Sequence, residues 1–147
     1  MIGDWQMRRF INNIYEKNML LYQELSDKIL RAYFNVLDVL GKGLAEKVYE
    51  NALSIEFEEL GIRYERQFPL QVEYKGHMVG SYVADFFVEG KIIVELKAVS
   101  SITPEHIAQT INYINLTHSK VGYILNFGQL EGKGYKRLIG LAAKQDF

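Results

Sequence analysis

The sequence contains no cysteine in its 147 residues. This absence excludes disulfides, thiol nucleophiles and cysteine-ligated zinc, and it is compatible with a reducing cytoplasm, where we expect the protein to act. No apolar run approaches the roughly 18 residues that a membrane span needs. Charged residues interrupt the first apolar segments. We therefore expect no membrane partner and no signal peptide.

An excess of one charge is also lacking, because 17 lysines and arginines stand against 18 acidic residues. The net charge of −1 excludes the global basic field that draws strongly basic proteins to nucleic acid. The composition, with 48% hydrophobic and 24% charged residues, is that of a globular protein. We expect an N-terminal helical extension over residues 1–24 and a single domain over residues 25–147.

Apolar residues at helical spacing predict three helices at the start of the chain. The first covers about residues 5–22. Ser26 is placed to cap the second helix, which Gly41 ends. The third helix runs over about residues 44–60 and stops at Gly61, a residue that suits a left-handed C-terminal cap.

The third helix has a carboxylate in line with its apolar stripe. Tyr49, Leu53, Phe57 and Leu60 form the stripe, at spacings of three and four residues. One heptad before Leu53 stands Glu46, where the pattern favours an apolar side chain. Glu46 either reaches solvent from the edge of the stripe or serves a site. The other glutamates fall mostly on faces that can remain in water: Glu50, Glu56, Glu58 and Glu59.

Three strands follow, rich in β-branched and aromatic residues. They are predicted over residues 62–74, 77–88 and 92–99, with a turn at Lys75 between the first two. Pro69 cannot donate a ladder hydrogen bond, so we expect an edge strand or a bulge near it. The three strands are expected to form an antiparallel meander.

Charged residues occupy the second hairpin of this meander. On strand 92–99, Glu95 and Lys97 share one face, while the other face is wholly apolar. Asp85 lies opposite Glu95 only if the loop has three residues, 89–91, because a two-residue loop would send it to the other face. Gly90 can supply the left-handed residue that such a loop needs, so we predict the three-residue loop.

Two facing carboxylates repel each other, and a divalent cation would turn that repulsion into attraction. Lys97 would then lie beside the cation, able to hold a water or to stabilise a developing negative charge. The residues alone leave a second interpretation open, in which Lys97 only neutralises Asp85 and Glu95 in a structural ion cluster.

A fourth helix is predicted from Thr103, a capping residue followed by proline, to about His118. Its buried side chains are expected to be Ile107, Ala108, Ile111 and Ile114. The opposite face carries His106, Gln109, Thr110, Tyr113 and Thr117. Gln109 and Tyr113 are one turn apart and present an amide and a phenol to the same neighbour, unless they are only surface residues.

The chain ends with two further strands, over residues 121–127 and 135–140, joined by a glycine-rich loop over residues 128–134 that we expect to be mobile. Helices, a meander, a helix and two strands predict an α/β (α+β) fold, a mixed sheet with helices on its faces.

These positions together resemble the GxxExxY family, a branch of the PD-(D/E)XK nuclease superfamily. Its signature appears at residues 43–49 as Gly-Leu-Ala-Glu-Lys-Val-Tyr. The signature is accompanied by Asp85, by Glu-Leu-Lys at residues 95–97, and by Gln109 with Tyr113.

The resemblance covers about residues 25–140 and implies a restriction-endonuclease-like core of helix, three-stranded antiparallel meander, helix and strand. It also implies a metal site. Asp85, Glu95 and the backbone carbonyl of Leu96 would bind Mg²⁺ or Mn²⁺. Glu46 would complete the acidic cluster, directly or through a water.

The remaining site residues are also implied by the resemblance. Lys97 would orient the attacking water and offset charge on the scissile phosphate, while Gln109 and Tyr113 would approach the metal site and the nucleic-acid end. The expected function is metal-dependent hydrolysis of DNA or RNA, with DNA as the expected partner. The sequence departs from the family at Lys42 and Leu37, where proline and histidine are frequent.

A second hypothesis is a nuclease-fold module that binds nucleic acid or a protein partner without cutting it. The near-neutral net charge favours this hypothesis, as does the added N-terminal helix, which could form a homodimer or cover the site.

Overall fold

A computed structural model describes residues 3–20, 22–128 and 134–144 of the chain. The helices in this part are α1 (Asp4–Leu20), α2 (Gln23–Leu40), α3 (Glu46–Glu59), α4 (Pro104–Leu116) and α5 (Leu141–Lys144). The strands are β1 (Tyr64–Tyr74), β2 (His77–Val88), β3 (Ile92–Lys97), β4 (Val121–Asn126) and β5 (Tyr135–Ile139). None of the helices described is long and apolar enough to cross a membrane.

The five strands lie in chain order across one sheet. β1, β2 and β3 form the predicted antiparallel meander, β4 runs parallel to β3, and β5 is antiparallel to β4. A parallel pair requires a crossover, which α4 provides between β3 and β4. Pro69 lies on the edge strand β1, as predicted, and the register of β1 shifts between Val72 and Glu73. The mixed α/β prediction is confirmed.

Two hydrophobic clusters cover the two faces of this sheet. In the first, Ile29 of α2 and Phe57 of α3 pack with Val94. In the second, Ile114 of α4 packs with Ile93. Because Ile93 and Val94 are neighbours on one strand, their side chains point to opposite faces. The predicted apolar face of β3 is confirmed, since the first cluster includes Ile92, Val94, Leu96 and Ala98.

The start of α2 differs from the prediction. The helix begins at Gln23, after Tyr22 in a left-handed conformation with φ of 57°. Ser26 is buried about one turn inside the helix, and its hydroxyl has no hydrogen-bond partner within the described residues, so it is not a cap. Packing of an apolar face, here Ile29, stabilises a helix that lacks a side-chain cap. The predicted end at Gly41 is confirmed.

The start of α4 is confirmed, and its buried face is confirmed at Ile114 but differs from the prediction at three other positions. Thr103 Oγ1 accepts the N–H of His106 at 3.3 Å, and the His106 ring accepts the N–H of Thr103 at 3.1 Å. Thr110 and Tyr113 are buried, whereas Ala108 is exposed. Burial of Thr110 is tolerated because its hydroxyl donates to the carbonyl of His106 at 2.9 Å.

Beyond α4, the two predicted strands are confirmed as β4 and β5. Most of the glycine-rich loop predicted over residues 128–134 lies outside the described residues. Asn126, buried at the end of β4, accepts the N–H of Val99 at 3.1 Å and donates to the carbonyl of Val99 at 3.0 Å. These two hydrogen bonds hold the chain that follows β3 against the end of β4.

Candidate functional site

The loop between β2 and β3 sets the register on which the acidic residues depend. Val88 pairs with Ile92, which leaves residues 89–91 in the loop and confirms the three-residue prediction. The left-handed conformation expected at Gly90 extends to Glu89, with φ of 61° and 53°. The three-residue loop therefore sets the register in which Asp85 and Glu95 lie on the same face of the hairpin.

Asp85 and Glu95 meet where β2 and β3 separate. The regular pairing ends with Phe86 opposite Val94. One residue further, the N–H of Asp85 donates to Oε1 of Glu95 at 2.8 Å, and the N–H of Leu96 donates to Oδ2 of Asp85 at 2.8 Å. Each carboxylate thus accepts a backbone N–H of the facing strand, as the predicted register requires.

The electrostatics of this pair are unfavourable for two negative charges. Burial, followed by the negative charge of Asp85, raises the pKa of Glu95 to about 9. Burial also raises the pKa of Asp85, although the hydrogen bond from the N–H of Leu96 lowers it in part. The positive charge of Lys97 lowers the pKa of both carboxyls without reversing either shift. Without a further cation, Glu95 is therefore protonated near neutral pH.

A cleft of about 330 Å³, here called the acidic cleft, opens beside Asp85. It is lined by Glu46, Lys47, Glu50, Gln67, Asp85 and Leu96. Glu46 is the first residue of α3 and is exposed, so it is not part of the buried stripe. Partial desolvation beside the cleft and the charge of Asp85 raise the pKa of Glu46, while Lys97 lowers it. The structure thus brings Glu46, Asp85, Glu95 and Lys97 into one electrostatic group.

The glycine and tyrosine of the signature at residues 43–49 shape the loop before α3. Gly43 has φ of 95°, a value that favours glycine. The hydroxyl of buried Tyr49 donates to the carbonyl of Gly41 at 2.7 Å and accepts the N–H of Leu44 at 3.1 Å. Both bonds fix the loop and with it the first turn of α3, which carries Glu46.

Glu50 is a site residue that the sequence interpretation missed. It was assigned to a wet face, yet it is only 4% exposed. Its carboxylate pairs with Lys47 Nζ at 2.8 Å and accepts hydrogen bonds from Arg66 and Gln67. Burial alone would raise the pKa of Glu50, but these donors outweigh burial and hold the pKa below its usual value.

A sequence signal for Glu50 existed. One heptad before Phe57 lies Glu50, just as one heptad before Leu53 lies Glu46. Both residues line the acidic cleft, but Glu50 is buried whereas Glu46 is exposed. Periodicity alone could not decide between the two, because the burial of Glu50 depends on Arg66, which β1 supplies from a later part of the chain.

Gln67 connects Glu50 to Asp85 and Glu95, which we call the acidic pair. Its Nε2 donates to Glu50 and lies 3.5 Å from Oδ1 of Asp85. The backbone of Gln67 is left-handed, with φ of 49°, a strained value for a residue other than glycine. Tyr64, before it on β1, packs with the first hydrophobic cluster, and Phe68, after it, packs with the second. The strand therefore changes its inward face beside Asp85.

Gln109 and Tyr113 approach from the other face of the sheet. Tyr113 is buried; burial, followed by the charge of Glu95, raises the pKa of its phenol. Gln109 is exposed and lines a second cleft together with Tyr82 and Tyr113. Tyr113 is thus within electrostatic range of the acidic pair, whereas the role of Gln109 stays a prediction.

The donor chemistry of the acidic pair fits a hard divalent cation. Asp85 and Glu95 offer carboxylate oxygens, and Leu96 offers a strand carbonyl, the ligand types that Mg²⁺ and Mn²⁺ prefer. Burial raises the pKa of each carboxyl, and the positive charge of Lys97 does not offset the rise. As the side chains stand, no group of three or more histidines, aspartates or glutamates in the described part of the chain could hold a metal ion.

Comparisons with known proteins place this geometry in a family. A sequence model described as PD-(D/E)XK nuclease superfamily matches residues 23–138. No curated protein matches the chain. Among solved structures, the crystal structure of SSO0001 is similar, with a TM-score of 0.50 and 12% identity over 88% of this chain and 67% of that chain. At this identity the likeness concerns the fold alone, and it supports the restriction-endonuclease-like architecture.

Proposed function

Since the chain belongs to the PD-(D/E)XK nuclease superfamily, whose members are usually nucleases, we propose that it is a metal-dependent nuclease hydrolysing phosphodiester bonds of DNA or RNA. The observation that carries the proposal is the contact of Asp85 with Glu95 beside Lys97. The finer assignment to the GxxExxY family is also proposed, supported by the signature at residues 43–49.

The proposed roles follow from the chemistry of each side chain. Asp85, Glu95 and the carbonyl of Leu96 would hold Mg²⁺ or Mn²⁺, with Glu46 bound directly or through a water. When bound, the cation supplies Lewis acidity and an activated water. Lys97 holds the attacking water and offsets negative charge on the phosphate.

From the α4 side, Gln109 and Tyr113 are proposed to contact the nucleic acid, which we expect to be DNA. Their amide and phenol can form hydrogen bonds with a nucleic acid without adding charge. Tyr113 is the better supported of the two, because the charges of Glu95 and Asp85 both act on its phenol.

Cleavage assays with Mg²⁺ or Mn²⁺ test this function on single-stranded, duplex and branched DNA and on RNA. We expect wild-type cleavage to fall by about 10²–10³-fold in Asp85→Asn, which weakens the proposed cation site, and in Lys97→Ala, which removes a positive charge beside the phosphate. Glu65→Gln, which changes an exposed carboxylate on β1, is the matched control and should cut normally. Absence of cleavage on every substrate, or full activity in both site variants, would contradict the proposal.

The second candidate is a module that binds nucleic acid or a protein without cutting, favoured by the net charge of −1. It predicts that calorimetry detects no Mg²⁺ or Mn²⁺ binding and that Asp85→Ala leaves nucleic-acid affinity unchanged. Cation binding that Asp85→Ala removes would instead favour the nuclease.

We also propose that residues 1–24 are an extension outside the domain of residues 25–147 and that they form a homodimer. Exposed apolar side chains on α1, including Trp5 and Phe10, support this. Light scattering should give a dimer mass that the double change Trp5→Ser and Phe10→Ser reduces to a monomer. A monomeric wild-type protein at all concentrations would exclude the homodimer.

A further inference from the structure

A second cleft of about 670 Å³ lies on the α4 side of the sheet, and we call it the aromatic cleft. Its lining includes Val72, Tyr82, Gln109, Asn112, Tyr113 and Leu116. The rings of Tyr82 and Tyr113 lie 5.7 Å apart at an interplanar angle of 44°. Tyr113 is buried, whereas Tyr82 is 50% exposed, so one ring forms the floor of the cleft and the other keeps a face open to solvent.

Four polar side chains of the aromatic cleft have no hydrogen-bond partner in the part of the chain that the structure describes, although the neighbouring Asn115 accepts the N–H of Leu141 at 2.9 Å. Within the described residues, no hydrogen bond engages the side-chain amides of Gln109 and Asn112 or the hydroxyls of Tyr82 and Tyr113. Gln109, Asn112 and Tyr113 lie at spacings of three and four residues on α4, so they present their polar groups to one place. The cleft thus combines an aromatic surface with amides that can both donate and accept.

The charge of the aromatic cleft determines which part of a nucleic acid it can take. Among the described lining residues, the single charged side chain is that of Glu105, and no lysine or arginine is present. A phosphate would find no positive charge here, whereas a neutral nucleobase can stack on an aromatic ring and bond to amides through its edge. Asp85 and Glu95 lie within electrostatic range of Tyr113, because both carboxyls act on its phenol.

We propose that the aromatic cleft binds an unpaired nucleobase of the strand whose phosphate lies at Asp85 and Glu95, with Tyr82 stacking on the base. The inference rests on the proposed function, because that function supplies the nucleic acid. A base inside a duplex has both faces covered by its neighbours, so it must leave the stack to reach Tyr82. The preferred substrate is therefore a single-stranded segment or a frayed end.

Oligonucleotide binding with Ca²⁺ in place of Mg²⁺ tests this proposal by fluorescence anisotropy. The probes are a short oligothymidylate, its abasic counterpart, the oligouridylate and a blunt duplex. Tyr82→Ala should weaken binding of the two base-bearing single strands by about 5- to 150-fold and leave abasic binding unchanged, since stacking contributes only where a base is present. If only one base-bearing strand responds, that strand identifies the substrate as DNA or RNA.

Two control variants separate stacking from folding. Tyr82→Phe keeps the ring and should bind like the wild type. Tyr74→Ala removes a tyrosine of the neighbouring strand β1 that is 63% exposed and lies outside the cleft, so it should also bind like the wild type. A 2-aminopurine placed in the single strand should be quenched on binding to wild type and to Tyr82→Phe, but not to Tyr82→Ala.

The inference is overturned if Tyr82→Ala binds every probe like the wild type, if it weakens abasic and base-bearing probes equally, or if no oligonucleotide binds. Failure of the proposed function gives a different pattern. Base-dependent binding through Tyr82 without cleavage would retain the aromatic cleft and reject the nuclease. Cleavage that Tyr82→Ala leaves intact, with unchanged binding, would reject the aromatic cleft and retain the nuclease.

Discussion

Glu50 and Glu95 are buried almost equally, at 4% and 5% exposure, yet their pKa values move in opposite directions. Glu50 is surrounded by donors, because Lys47 and Arg66 bring positive charge to it. Glu95 instead faces another carboxylate, Asp85. A buried charge is costly unless it is paired. The fold therefore supplies the counter-charge of Glu50 itself, whereas under the proposed function a bound cation would supply that of Glu95.

The two carboxylates are connected although their surroundings differ. Gln67 bonds to Glu50 and lies beside Asp85, so the satisfied carboxylate helps to position the unsatisfied pair. The strained backbone of Gln67 is held in place by these contacts. We interpret Glu50 as structural support for the site and Asp85 with Glu95 as the groups that use it.

The largest expected effect on stability is that of Glu50→Gln. Removing this charge leaves Arg66 partly buried without its partner, so the free energy of unfolding should fall by about 3 kcal/mol. Urea denaturation measures the loss. Glu59→Gln, an exposed carboxylate of the same helix, is the control and should change stability by less than about 0.5 kcal/mol. Equal stability of the two variants would contradict a structural role for Glu50.

In metal-free protein, Glu95→Gln should raise the free energy of unfolding, whereas Glu50→Gln lowers it. The pKa of Glu95 is raised from 4.5 to about 9, so folding at pH 8 requires protonation of a group that is ionised in the unfolded chain. The penalty is absent below about pH 4.5 and grows as the pH rises towards 9. Replacing Glu95 by the neutral amide should therefore raise the free energy of unfolding by about 2 kcal/mol at pH 8.

Thermal or urea unfolding in EDTA, measured between pH 5 and pH 9, checks this sign. The difference between Glu95→Gln and wild type should widen with pH, while Glu65→Gln on β1 should show no such trend. A destabilised Glu95→Gln across this range, or a difference independent of pH, would show that Glu95 is paired in the fold as Glu50 is.

The smallest effect is expected for Lys47→Gln. The Lys47 side chain is 66% exposed, so its ion pair with Glu50 is screened by water and should contribute less than about 1 kcal/mol. Arg66→Gln should cost more, because Arg66 also bonds to Asn51 at 2.6 Å. If Lys47→Gln lowers the free energy of unfolding in urea more than Arg66→Gln does, the prediction that Arg66 contributes more to stability than Lys47 is wrong.

The acidic pair could be predicted from the sequence because its geometry is local. Strand alternation placed Glu95 and Lys97 on one face, and the length of a single loop decided the position of Asp85. The meander and the start of α4 at Thr103 were predictable for the same reason, since turn and capping residues act over a few positions.

The surroundings of Glu50 could not be predicted in this way. Glu50 and Arg66 are distant in the sequence, and their contact exists only once β1 packs beside α3. The left-handed backbone at Gln67 could not be predicted either, because the position has neither glycine nor asparagine, the residues that usually adopt this conformation. Likewise, tertiary packing buries Thr110 and Tyr113 of α4 together with the predicted Ile114, and the apolar pattern of the helix alone did not indicate those two residues.

The central claim is that the acidic pair requires a cation that the fold does not supply. Isothermal titration calorimetry with Mn²⁺ tests this most directly, using wild type, Glu95→Gln and the exposed control Glu65→Gln. We predict that wild type and Glu65→Gln bind the cation with release of protons, because Glu95 must ionise to become a ligand, and that Glu95→Gln does not bind. Absence of Mn²⁺ binding in the wild type, or equal binding in Glu95→Gln, would contradict the claim.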